Sequence, residues 1–188
     1  MKIPSYAQSW PWPAILEASE LYGIGWEMLG AIIQTESSGN QFAYRYEPKF
    51  NYLHDTNILQ NLWKCTNETA LIMQKSSYGY TQVMGATAID LGLLKLNEKH
   101  VWPTLLFRTD INLKFCCLLL KQKFKKYGEK DMATIYASYN AGTAKKNDKG
   151  IFMNEWAVAK FRKNYQEFLG NSNIEYIEIN PRRFSNEF

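Results

Sequence analysis

The chain is predicted to be mainly α-helical with little or no β-sheet. Three observations carry this expectation. Apolar residues recur at three- and four-residue spacing over most of the length, as one buried helix face requires. Gly, Pro, Asn or Asp punctuates nearly every such run. Strand-like alternation is weak and falls in the tail, at Ile174, Tyr176 and Ile179.

The elements follow in order. Pro11-Trp12-Pro13 opens a helix over Ala14 to Tyr22, closed by Gly23. A second runs from Trp26 to Glu36 and stops at Ser37-Ser38-Gly39-Asn40. The aromatic, polar stretch Asn40 to Asp55 reads as a long loop or short hairpin, and Ile58 to Lys75 as one or two short helices. Tyr78-Gly79-Tyr80 is a turn or short extended piece feeding a helix over Gln82 to Leu94. Thr109-Asp110 caps a long helix with the stripe Leu113, Cys117, Leu120, Phe124 and Tyr127, ended by Gly128. Asp131 caps a helix carrying Ile135, Tyr136 and Tyr139 as far as Gly142. Lys145 to Gly150 is a basic loop. Asn154 opens the last helix, with Val158, Phe161, Tyr165 and Phe168 on one face. Residues 171–188 form a C-terminal tail, polar after Pro181.

Composition narrows the class. The 188 residues suit one domain with a real core, and 46% hydrophobic and 15% aromatic content favour a globular chain. A net charge of +4 allows attraction to an anionic polymer but is no nucleic-acid signature, so no nucleic-acid partner is expected. Cys65 and the adjacent Cys116 and Cys117 are not a disulfide framework, and nothing has metal-ligand spacing. Free thiols and no metal are expected. His54 and His100 stand apart from any Ser or Cys nucleophile pattern, so a catalytic triad is unsupported. Met1 to Trp12 lacks the apolar core of a signal peptide, and no stretch approaches the length of a membrane span.

Glu36 is the first candidate for chemistry. Leu29, Ile32, Ile33 and Glu36 follow the i, i+3, i+4, i+7 spacing, which sets a carboxyl on the apolar stripe at a helix C-terminus. Burial and the negative end of the helix dipole both disfavour its charge there, raising its pKa as a general acid requires. The alternative is a frayed helix end with the side chain in water. Two more segments end or begin helices where side chains can converge: Tyr78-Gly79-Tyr80-Thr81-Gln82-Val83-Met84 and Tyr136-Ala137-Ser138-Tyr139-Asn140-Ala141-Gly142.

Together and in this order, these segments resemble the signatures of the soluble lytic transglycosylase family, whose domain is similar to goose-type lysozyme. Those signatures are Glu-Ser before a Gly/Asn turn, Gly-Leu-Met-Gln-Val-Met, and Ala-Tyr-Asn-Ala-Gly. A tyrosine in the last helix is matched by Tyr165. The resemblance covers Ala14 to Leu169. It implies a lysozyme-like catalytic domain over 1–170, with Glu36 as the single acid/base. Ser37, Gln82, Met84, Tyr139, Asn140 and Tyr165 would contact or line the saccharide site, and Tyr165 would lie close to the catalytic carboxyl. The implied reaction cleaves the β-1,4 bond between N-acetylmuramic acid and N-acetylglucosamine of peptidoglycan, forming a 1,6-anhydro ring without a cofactor. The expected partner is the glycan strand. The expected enzyme is a monomer acting at the cell wall without inserting in a membrane, delivered by a phage or a secretion machine.

Two departures bear on this. Tyr80-Thr81 replaces the family's Leu-Met, which suggests a more polar cleft wall. Tyr44-Arg45 stands where many relatives carry a serine. Arg45 would either pair with a substrate carboxylate or form an ion pair with Glu47 or Asp55. The longer spacing from Glu36 to Gln82 suggests that 41–77 is an inserted lobe over the cleft. A goose-type hydrolase is the nearest alternative, and it needs a second carboxylate such as Glu47, Asp55 or Asp90. A non-catalytic wall-binding or assembly module is the other.

Overall fold

A computed structural model describes residues 1–96, 101–128 and 131–180, so His100 and the end of the tail, 181–188, lie outside the described residues. The chain divides into two compact units, Met1–Gly39 with Cys117–Phe188, and Asn40–Cys116.

The first unit is built on helices α1 (Trp12–Tyr22), α2 (Trp26–Glu36), α7 (Met132–Ala141) and α8 (Glu155–Phe168), together with the second half of α6 (Thr109–Tyr127). Helix α1 ends where Gly23 turns left-handed. Helix α2 is buried all round from Met28 to Ile33 and packs against α8. Gly30 permits that approach, because a Cβ there would sit 2.7 Å from the Phe168 ring. Phe168 in turn packs among Tyr6, Trp10, Trp12 and Trp26. The tail is partly tied down: β5 (Tyr176–Glu178) pairs antiparallel with β1 (Lys2–Pro4).

The second unit holds α3 (Thr56–Trp63), α4 (Asn67–Gln74) and α5 (Gly85–Asp90) beside a three-stranded antiparallel sheet. Its order is β2 (Tyr44–Tyr46), β3 (Ser76–Tyr78), β4 (Val83–Met84). Leu59, Trp63 and Ala70 centre its core, with Met73, Ile89 and Trp102 against them. The segment 41–77, expected as an inserted lobe, lies within this unit, in which β3 pairs onward with β4. One expectation is corrected here. The helix anticipated from Gln82 starts at Gly85, because Val83 and Met84 are taken by the sheet. It is broken at Gly92, which turns left-handed before a short 3₁₀ turn over Leu93–Lys95.

None of the three cysteines is in a disulfide, and Cys116 and Cys117 are buried and Cys65 partly so. No helix among the described residues is long and apolar enough to cross a membrane.

Candidate active site

Glu36 closes α2, and the preceding residue, Thr35, is clamped from α8. The last carbonyls of a helix lack intrahelical donors. Here Lys160 Nζ donates to Thr35 O at 2.6 Å, placing a cation at the negative helix end. Asn164 Nδ2 donates to Thr35 Oγ1 at 2.9 Å, and that hydroxyl donates to Ala31 O. Ser37 donates its hydroxyl back to Ile33 O. The chain then turns sharply through Ser38 and Gly39, both at positive φ. Gly39 is required: a Cβ would lie 2.2 Å from the Trp10 indole nitrogen.

The Glu36 carboxyl is partly buried rather than enclosed. Tyr136, itself 1% exposed, donates its hydroxyl to Glu36 Oε1 at 2.7 Å. Asn140 Nδ2 donates to the same oxygen at 3.4 Å, a longer bond. The orientation of the Asn140 amide is set by its other end, where Oδ1 accepts from Asn154 Nδ2 at 3.0 Å. Asn154 also donates to Ala137 O. It can give Asn140 only a donor, so the Asn140 amide presents its own donor to Glu36.

A column of near-parallel rings backs this arrangement. Tyr136 stacks on Phe161 at 4.3 Å between centroids, Phe161 on Tyr165 at 5.6 Å, and the Tyr139 ring lies 6.3 Å from that of Tyr136. Tyr165 is therefore two rings from Tyr136 and does not hydrogen-bond to Glu36. Burial, then the charge of Glu27, raises the pKa of its hydroxyl. The tyrosine that holds the carboxyl is Tyr136, which heads the Tyr136–Gly142 segment but is not among the residues expected to line the site. The signal was available: Tyr136 and Asn140 are four apart and share a helix face.

The second motif forms a scaffold within the other unit. Gln82 is buried in a left-handed backbone conformation, φ +51°, uncommon for a side-chain-bearing residue. Its Nε2 donates to Ala43 O and Gly79 O, and its Oε1 accepts from Ser77. Both amide donors are thus engaged within the protein, where Gln82 holds the turn. Asn112, fully buried and missed in the sequence, does the same from α6. It accepts from Thr81 N and Thr81 Oγ1, and donates to Tyr78 O and Leu106 O. Thr81 is fully buried on this network and Tyr80 nearly so, which corrects the expectation that they make a cleft wall more polar. Met84 is partly exposed at the end of β4.

The three carboxylates considered as a second acid each have a structural partner. Glu47 pairs with Arg45, Asp55 caps α3 by accepting from Asn57 N, and Asp90 lies 3.2 Å from His54 Nε2. Among the described residues, no group of three or more His, Cys, Asp or Glu is placed to hold a metal ion.

The family model described as the transglycosylase SLT domain matches residues 13–151. No curated protein and no solved structure matches.

Proposed function

The chain belongs to the transglycosylase SLT domain family, whose substrate is peptidoglycan, and on that premise we propose that Glu36 is its single general acid/base. The observation that carries this reading is the pair of donors, Tyr136 and Asn140, on one oxygen of one carboxyl. A protonated carboxyl has one carbonyl oxygen to accept and one hydroxyl to donate. In this reading Oε1 stays the acceptor of Tyr136 and Asn140, and Oε2 carries the proton delivered to the glycosidic bond.

The reaction then runs in two halves. Glu36 Oε2 gives its proton to the glycosidic oxygen as an oxocarbenium-like state develops at the muramic-acid carbon. The sugar's own acetamido group stabilises that carbon, so no carboxylate nucleophile is needed. The ionised Glu36, still held by Tyr136, then takes the proton of the C6 hydroxyl. That oxygen bonds to the anomeric carbon and closes the 1,6-anhydro ring, leaving Glu36 reprotonated for the next turn. The structural engagement of Glu47, Asp55 and Asp90 favours this route over hydrolysis, which requires a carboxylate free to activate water. One chain supplies the acid together with the Tyr136 and Asn140 donors.

Digestion of purified sacculi followed by mass spectrometry tests this. Glycan fragments ending in 1,6-anhydro-muramic acid are expected, with Glu36→Gln slowing their release by about 10²–10⁴-fold. Reducing ends would establish the hydrolase instead. Wild-type protein that binds sacculi without cutting them would establish the binding module.

A further inference from the structure

We infer that the hairpin at 145–153 and the first turn of α8 form a docking surface for an anionic lipid bilayer, holding the protein at a membrane surface without crossing it. The inference goes beyond the glycan chemistry proposed above and uses residues of the first unit only.

Backbone register displays the surface. Lys146 and Phe152 are bridged antiparallel, so Lys145 stands opposite Met153 and Asn147 opposite Ile151. Met153 N donates to Lys145 O at 2.9 Å, and Asn147 N to Ile151 O at 2.8 Å. Successive side chains leave a strand on opposite faces. Phe152 goes inward and is buried, with Lys146 Nζ 4.4 Å and the Arg162 guanidinium 5.8 Å from the centre of its ring. Ile151 and Met153 go outward, 44% and 70% exposed. Asn154 is buried and fixed to Ala137 O and Asn140 Oδ1, which pins the start of α8. Trp156 follows, off the helix face buried through Ala157, Val158 and Phe161, and is 72% exposed. The turn itself is fixed, because Asn147 Oδ1 accepts from Lys149 N and Ile151 N and Gly150 takes a positive φ. Three large apolar side chains are thus presented to solvent on a built scaffold.

Charge identifies what they meet. Residues 144–153 carry three lysines and one acid, Asp148. Glu155, next along the chain, is paired with Arg162. Lys146 is partly engaged, by the Phe152 ring and by Asp131, on whose carboxyl its charge acts. Lys145 and Lys149 are exposed beside the apolar tips. At a bilayer the indole sits at headgroup level, Met153 and Ile151 reach the acyl boundary, and the lysines meet anionic headgroups. The lysine stems lie along apolar surface while their charges stay in water. A second copy of this surface would set lysines against lysines. A glycan strand would stack on the indole alone and leave Met153 and Ile151 uncovered.

The test is sedimentation of the full chain with vesicles of phosphatidylglycerol and phosphatidylcholine, against vesicles of phosphatidylcholine alone. Wild type is expected to bind the anionic vesicles about tenfold more tightly, and the difference to shrink as salt is raised. Trp156→Ala should weaken that binding about tenfold, and Lys145→Ala combined with Lys149→Ala by a similar factor. Trp156→Phe keeps a ring and should lose less. All of these side chains are exposed, so the denaturant midpoints should match wild type. Leu21→Ala, at an exposed apolar residue of α1 in the same unit, is the control and should bind as wild type does. No binding by wild type, or an equal loss in Leu21→Ala, would overturn the docking surface. So would a Trp156→Ala protein that keeps its vesicle binding but, in a Glu36→Gln background, loses affinity for a soluble glycan oligomer, since the indole would then belong to the glycan. Self-association of wild type that Trp156→Ala abolishes, without vesicle binding, would give the surface to a second copy instead.

Discussion

At the scale of single residues, the Glu36 carboxyl and its donor Tyr136 separate cleanly by substitution. Tyr136→Phe keeps the ring on Phe161 and removes only the hydroxyl. A hydrogen bond to a charged group is worth about 1.5–3 kcal/mol, and the ionised Glu36 is formed during the reaction. A fall in kcat of roughly 10–100-fold is therefore expected, with KM little changed. Steady-state kinetics on a soluble glycan oligomer reads this directly, and a fall confined to KM would refute the assignment. Tyr165→Phe is the matched control. Its hydroxyl lies beyond Phe161 and feels Glu27, so kcat should stay within about twofold of wild type on the same substrate. The contrast shows what the sequence could carry at this scale. Glu36 and Asn140 were legible because each ends a helix inside a recognisable motif. Tyr136 was not singled out, because an apolar stripe looks the same whether a tyrosine hydroxyl meets a partner or water.

At the scale of elements, the helices that carry the site were legible, as was α6, and the turn and strand around Gln82 were not. The spans of α2, α7 and α8 follow from periodicity and punctuation, both local properties of the chain. The region around Gln82 depends on partners far away in sequence. Its amide reaches Ala43 O across 39 residues, and Asn112 binds Thr81 across 31. No local pattern encodes such pairings, so a helix was expected where a strand and a strained turn occur. Helix α7 illustrates the local case and carries a prediction. Asp131 caps it by accepting from Ala133 N, so Asp131→Ala should cost about 1 kcal/mol, read as a lower denaturant midpoint. Burial pushes the Asp131 carboxyl upward. The Thr134 hydroxyl, the backbone N–H groups of Thr134 and Ala133, and the Lys146 charge outweigh it and hold its pKa below the usual carboxylate value. Because the folded pKa is depressed, the cap's contribution is complete above the ordinary pKa, about 3.9. It is lost as pH falls through the lower folded one. The stability gap between wild type and Asp131→Ala should therefore be constant near neutrality and close in acid, as paired denaturation curves across that range will record.

At the scale of the whole molecule, the first unit is assembled from both ends of the chain, and its stability should respond to what happens at those ends. Helix α2 packs on α8 although more than a hundred residues separate them, and β1 and β5 pair the first strand with the last. Ile3 in β1 is fully buried, and the Met1 ammonium donates to Ile179 O at 3.1 Å. Next to this sheet, the Tyr6 hydroxyl donates at 2.7 Å to Glu167, a carboxylate only 6% exposed near the end of α8. Removing residues 1–4 deletes one buried isoleucine, about 1.5–3 kcal/mol by its area alone, and leaves β5 without its ladder partner. The loss falls on the unit that contains Glu36, yet the deleted residues donate nothing to the carboxyl. The truncated protein should unfold at a lower denaturant concentration while keeping kcat near wild type at temperatures where it remains folded. A drop in kcat that tracks the missing strand under those conditions would mean that the terminal sheet, and not only the clamp from Lys160 and Asn164, sets the position of Glu36.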